Sequence, residues 1–279
     1  MGIYDRDYYR NAPSRGGFGH FVAWSVTTWL IVINVAVFFA DGVLRFPPPQ
    51  QQTSVEDDTF DQPPVSPAYR DGLPTLIGEF SIDRAIRRFE VWRFVTYQFL
   101  HAYPWHLIMN MLGLYFFGPI VEGHFGARRY LAFYLLCGIA GAAFFSLMAV
   151  MRLLSIDPGT PLVGASGSIF GLLVAAAMIA PDVQLFYYFF PVTIRTVAII
   201  AMGLAIYTVL HSGHSPGANA GGEAAHFGGG ALGFVLIKNQ HWLNFFAPSR
   251  RAATYAQRST RRPRRPRSFQ KDWSKDMNR

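Results

Sequence analysis

Charge is scarce in this sequence. Asp, Glu, Lys and Arg make up 15% of the 279 residues, against 51% hydrophobic and 16% aromatic residues. Soluble domains carry about a quarter of charged residues, so the balance points to a membrane class. Cysteine is nearly absent: the single Cys137 excludes a disulfide framework within one chain and reads as a packing residue. No His-Glu-x-x-His occurs, which argues against a zinc-type intramembrane hydrolase. No aspartate falls inside an apolar run, which removes an aspartyl dyad. The near absence of ionisable groups from those runs also argues against a proton- or ion-coupled transporter. His211-x-x-His214 lacks a third ligand, so neither a metal nor a cofactor is expected.

What the chain has instead is a series of apolar runs. Residues 1–20 form a polar arm, and residues 21–40 an uncharged stretch of about 20 residues, enough to cross ~30 Å of hydrocarbon as a helix. Residues 41–78, rich in Pro, Gln and acids, read as an exposed linker that cannot form a packed core. Glu79 to Phe99 mixes aromatic and basic side chains, as suits an element at the membrane interface. Five further runs follow: Trp105 to Val121, Tyr130 to Met151, Ser166 to Ala180, Thr193 to Leu210, and a short, glycine-dependent one from Ala224 to Ile237.

These runs predict an all-α, polytopic membrane protein with six transmembrane helices. From Lys238 onward the chain has 12 Lys/Arg against 2 Asp/Glu, whereas Asp41 to Arg93 has 6 against 9. By the positive-inside rule both termini are cytoplasmic and the acidic loop is external. The basic tail, residues 248–279, fits anionic lipid on the cytoplasmic face, and no nucleic-acid partner is expected. Residues 1–20 hold Asp5 and Asp7 among their arginines, unlike an organelle presequence, so the expected location is the cell membrane.

The stretch Gly164-Ala165-Ser166-Gly167-Ser168 opens a run too short to span. From Gly167 to Ala180 there are 14 residues, or ~21 Å of helix. With its far end at the cytoplasmic surface, Ser166 lies below the outer surface at a helix N-terminus, where unpaired N–H groups favour a developing oxyanion. A nucleophilic serine needs a base, and His226, among Ala224, Ala225 and Gly228-Gly229-Gly230, sits where a neighbouring helix can come close. His106 and Asn110, one helical turn apart, add further donors at membrane depth. Taken singly, Gly-Ala-Ser-Gly and Gly229-x-x-x-Gly233 also describe tight helix crossings. Together with His106-x-x-x-Asn110 they point to acyl-transfer chemistry inside a bilayer.

In this arrangement the chain resembles the rhomboid family of intramembrane serine proteases. The resemblance covers roughly Phe89 to Lys238 and rests on Trp92-Arg93, His101-x4-His106-x3-Asn110, Gly164-x-Ser166-Gly and Ala225-His226-x-x-Gly229-x-x-x-Gly233, in the family's order. It implies a catalytic core over residues 79–247 with five membrane helices, Ser166 as nucleophile, and His226 as its base in a dyad with no carboxylate third member. It implies further that Asn110, His106 and the Ser166 backbone N–H form the oxyanion site. Gly164 would support that turn, and Phe170 would pack against the base. Glu122 and Gly126 are similar to a structural pattern after the second span. Inactive relatives typically lose the serine or the histidine; both are present here. Expected substrates are single-span or polytopic membrane proteins cleaved in or near a transmembrane segment. The alternative is a non-catalytic module of the same fold that binds client transmembrane helices.

Overall fold

The computed structural model describes residues 24–44, 72–187, 190–211 and 219–247. The polar arm at residues 1–20, most of the linker and the basic tail lie outside the described residues. Within them the chain is a helical membrane bundle built on six long helices: α1 (Val26–Val43), α2 (Pro104–Phe125), α3 (Ala127–Val150), α4 (Ser166–Ile179), α5 (Ile194–His211) and α6 (Ala220–Lys238). By length and composition α1, α3 and α5 suffice to cross a membrane, while α4 is apolar but shorter. The two remaining helices carry the polar and glycine-rich motifs, which lowers their hydropathy without shortening them.

Helix α4 is the hub, packed against α2, α3, α5 and α6, and α6 makes its broadest contacts with α3 and α4. Glycine makes that closeness possible. A Cβ on Gly229 of α6 would collide with the Gly167 carbonyl oxygen of α4, and one turn on, a Cβ on Gly233 would lie 2.7 Å from the Gly171 Cα. The Gly229-x-x-x-Gly233 pattern is therefore a helix-crossing seam as well as the frame around His226. Below it, Leu114, Phe133, Cys137, Leu172 and Ala176 form the buried core, so Cys137 packs as expected.

The helix ends differ from their expected positions by a few residues. The first helix starts at Val26, five residues after the expected 21, and continues past Asp41 to Val43. Its N-terminus is capped twice: Ser25 accepts from the Thr28 N–H at 3.1 Å, and the Glu122 carboxylate accepts from the Val26 and Thr27 N–H groups at 2.8 and 2.9 Å and from the Thr27 hydroxyl at 2.7 Å. A carboxylate on a helix N-terminus satisfies orphan donors and complements the dipole. Helix α2 itself begins at Pro104, where a missing N–H costs nothing, and ends at Phe125, followed by Gly126, whose φ of 76° lets the chain turn directly into α3.

The expected linker, residues 41–78, is helical at both of its described ends. Asp41, buried at the end of α1, accepts from the Thr75 N–H at 2.9 Å and so caps a short helix, Leu73–Gly78. The other end of that helix is closed by the Trp92-Arg93 pair. Trp92 Nε1 donates to the Ile77 carbonyl at 3.2 Å, and the buried Arg93 guanidinium donates to the carbonyls of Glu79 and Leu76 while pairing with Glu90. Terminal carbonyls that lack an intrahelical partner are thus met by side chains. Glu79 to Phe99, expected as one structured element, is a succession of short turns: a π-helical turn at Asp83–Arg87, an α-helical turn at Arg93–Thr96 and a 3-10 turn at Tyr97–Phe99.

Between α4 and α5 lies a hairpin that the sequence did not suggest. Strand β1 (Gln184–Tyr187) pairs antiparallel with β2 (Phe190–Thr193), Gln184 opposite Thr193. Pro191 lacks an N–H to donate, which a two-stranded ribbon tolerates because each strand is an edge.

Candidate active site

Helix α4 begins at Ser166, so the Ser166 N–H belongs to the first turn and has no intrahelical acceptor. The chain reaches this point through Gly164, whose φ of 128° is a conformation that side-chain-bearing residues rarely adopt. The turn is pinned by the Gly164 N–H donating to the Tyr97 carbonyl at 3.0 Å. It is also crowded: a Cβ on Gly164 would stand 2.8 Å from both Cε1 and Nε2 of His106 and 3.7 Å from the Ser166 hydroxyl oxygen. Gly164, His106 and Ser166 therefore lie close together.

Asn110 lies one turn below His106 on α2 and is buried. Its Nδ2 donates to the His106 carbonyl at 2.8 Å, which anchors the amide against its own helix and still leaves Nδ2 a second hydrogen. His106 accepts a long 3.5 Å contact from the Ala102 N–H at Nδ1. An acceptor at Nδ1 puts the ring proton of the neutral imidazole on Nε2, the atom that faces Gly164.

On the other side, His226 lies flat on Phe170, ring centroids 4.2 Å apart and planes 6° from parallel. Phe170 is one turn from Ser166 on the same helix, and the flanking residues touch as well, since a Cβ on Gly167 would lie 3.4 Å from the Ala225 carbonyl oxygen. The crossing of α4 and α6 thus brings the two motifs side by side. Among the described residues no hydrogen bond joins the Ser166 hydroxyl to the His226 ring. Such bonds are often loose without substrate. The second serine of the motif is different: Ser168 is fully buried and donates to Gln98 Oε1 at 2.9 Å. It ties α4 to the turn before α2.

Three groups escaped the sequence argument. Tyr97, buried, donates to the Gly138 carbonyl at 2.6 Å and sits where α3, α4 and α6 meet. Gln98 receives Ser168. Glu223, in the first turn of α6, puts a carboxylate oxygen 3.1 Å from His226 Nδ1. The expected run began at Ala224, whereas α6 begins at Ala220; Glu223 lay one residue outside.

His101 stands behind His106, edge-on, with centroids 5.1 Å apart. Burial, aided by repulsion from His106, pushes the His101 pKa down to about 3. An unfolded histidine titrates near 6.5, so below that pH the unfolded chain binds the proton that the folded one refuses. Stability from this group is present above pH 6.5 and is lost as pH falls from there toward 3. His101→Gln is expected to flatten the acid dependence of the melting temperature in detergent between pH 7 and 4; parallel curves for the variant and wild type would remove His101 from that role.

A family model for the Rhomboid domain matches residues 88–240, just over half of the chain. Among curated relatives, RHOMBOID-like protein 4 of Arabidopsis thaliana is 31% identical over 246 residues, covering 82% of this chain and 57% of that protein. RHOMBOID-like protein 12, mitochondrial, of the same plant is 32% identical over 152 residues, 50% of this chain and 44% of that protein. Inactive RHOMBOID-like protein 8, also of Arabidopsis thaliana, is 34% identical over 84 residues, 30% of this chain and 24% of that protein. The chain spans roughly half the length of these relatives or less.

Proposed function

We propose that this chain, which belongs to the rhomboid family, is an intramembrane serine endopeptidase that hydrolyses peptide bonds in or near transmembrane segments of other membrane proteins. The observation that carries the proposal is the stacking of His226 on Phe170, one turn from Ser166, at the α4 N-terminus. That geometry supports His226 Nε2 as the base. It takes the proton of the Ser166 hydroxyl as Oγ attacks the scissile carbonyl carbon. The oxyanion is received by the Ser166 N–H, Asn110 Nδ2 and His106 Nε2, fixed donors that need no reorganisation. The imidazolium then returns its proton to the leaving amine, and water, activated by the same ring, releases the acyl group from Ser166.

The short α4 fits this chemistry. At 14 residues, ~21 Å, it leaves its N-terminus several ångströms short of one surface of a ~30 Å hydrocarbon core, so Ser166 is submerged while water reaches it from that side. A substrate helix hides its carbonyls in hydrogen bonds, so small or helix-breaking residues near the cleaved bond are favoured. In this proposal all six long helices cross the cell membrane, both termini are cytoplasmic, and the basic tail contacts anionic lipid.

The similarity to a relative named inactive favours a second possibility, a client-binding module without catalysis. Serine-dependent turnover of a transmembrane substrate by the wild type distinguishes the two, and Asn110→Ala then tests the oxyanion role. For a main oxyanion donor the turnover number falls ~10²–10³-fold with KM little changed. A change in KM alone would mark Asn110 as a binding residue only.

A further inference from the structure

We infer that Glu223 is a positioning residue for His226, holding the ring in the tautomer that can act as a base. The inference rests on the proposed protease chemistry and adds a carboxylate to what the sequence presented as a two-residue arrangement.

The chemistry follows from the contact. The Glu223 Oε2 to His226 Nδ1 separation is 3.1 Å, and the two side chains are 27% and 17% exposed. An ionised carboxylate has no hydrogen to give, so the proton of this hydrogen bond belongs to His226 Nδ1. In a neutral imidazole the other nitrogen, Nε2, is then the unprotonated one. That is the nitrogen needed to take the Ser166 proton. Without an acceptor at Nδ1 the ring divides its population between two tautomers, only one of which is a base toward Ser166.

Orientation is fixed at the same time. Phe170 holds the ring plane by stacking, which leaves open the 180° flip about Cβ–Cγ that exchanges Nδ1 with Cδ2. The bond from Nδ1 to Glu223 removes this remaining freedom. When the proton arrives from Ser166, both nitrogens carry hydrogen, and the nearby negative charge stabilises the imidazolium. The step balances as a simple transfer: the Ser166 proton moves to Nε2, while the Nδ1 proton stays where it was.

Other groups around His226 do not supply this charge. Helix α4 presents Phe170 and Ser166. Helix α2 contributes the His106 imidazole. The Tyr97 hydroxyl lies beside the Ala225 and Gly141 backbone, and α5 meets α6 through Met202 at Gly230. A plainer role also exists, because an acid in the first turn of α6 complements the helix dipole whatever the histidine does.

The test compares wild type, Glu223→Gln and Glu223→Ala, each as the full chain in liposomes with a transmembrane peptide substrate, measuring kcat, KM and melting temperature across pH 5–9. Glutamine keeps an acceptor and removes the charge; alanine removes both. The expected result is a kcat lowered about tenfold in the Gln variant and more in the Ala variant, with KM unchanged. A lower melting temperature with kcat unchanged overturns the inference and leaves Glu223 as a helix cap. Cleavage by wild type that survives Ser166→Ala overturns it too, together with the protease proposal itself.

Discussion

Ser166→Ala is expected to abolish cleavage of a transmembrane substrate, a loss of at least ~10⁴-fold, while the melting temperature stays within a few degrees of wild type. The size follows from the role. A nucleophile removed from a unit of nucleophile and base takes nearly all of the covalent pathway with it. The lack of a structural penalty follows from the surroundings. The Ser166 hydroxyl is only part-buried, and among the described residues it holds no hydrogen bond. Ser168→Ala should behave in the opposite way. Its hydroxyl is fully buried and donates to Gln98, so its loss leaves an acceptor unmet and costs about 1–3 kcal/mol of stability. Equal loss of activity in both variants with equal loss of stability would mean that Ser166 supports the fold and not the chemistry.

Gly229→Val should be the second severe change, although position 229 touches neither substrate nor base. The valine side chain would be driven into the Gly167 carbonyl, and backbone there cannot yield as a flexible side chain would. Helices α4 and α6 must separate, and the residues at their contact are Gly167, next to Ser166, and Ala225, next to His226. A misplacement of 1 Å between reacting groups costs ~10²-fold in rate, so a loss of at least that size is expected, accompanied by a lower melting temperature. Gly203→Ala on α5 is the control, because a Cβ there meets nothing within 4 Å. Near-normal cleavage by Gly229→Val, or a comparable defect in Gly203→Ala, would contradict the assignment of the seam as the device that sets the dyad.

The helical fold was legible because six apolar runs, interrupted by proline, glycine and arginine, map onto α1 to α6 with shifts of only a few residues. Ser166, His106, Asn110 and His226 stood out for a different reason: a polar group in an apolar run is costly in hydrocarbon, so each demands an account, whereas Gly164 and Phe170 were singled out only by the resemblance to the family. Three of the ends misled by one mechanism. Asp41, Glu122 and Glu223 each lie one residue outside an expected span, because hydropathy ends a span at a charge. In the fold the helices run on through all three, and each carboxylate has a partner: Asp41 the Thr75 N–H, Glu122 the start of α1, Glu223 the His226 ring. Those partners lie 34 and 96 residues away for the first two. Hydropathy along the chain cannot register them. The pairing of β1 with β2 was missed because four-residue strands give too few alternations to read.

The measurement that bears most directly on the protease proposal is covalent labelling with a fluorophosphonate probe, applied to the detergent-solubilised wild type beside Ser166→Ala and His226→Ala. An activated serine predicts labelling of the wild type at Ser166 and none in either variant. A folded wild type that takes up no label, or labelling that persists in Ser166→Ala, would contradict it.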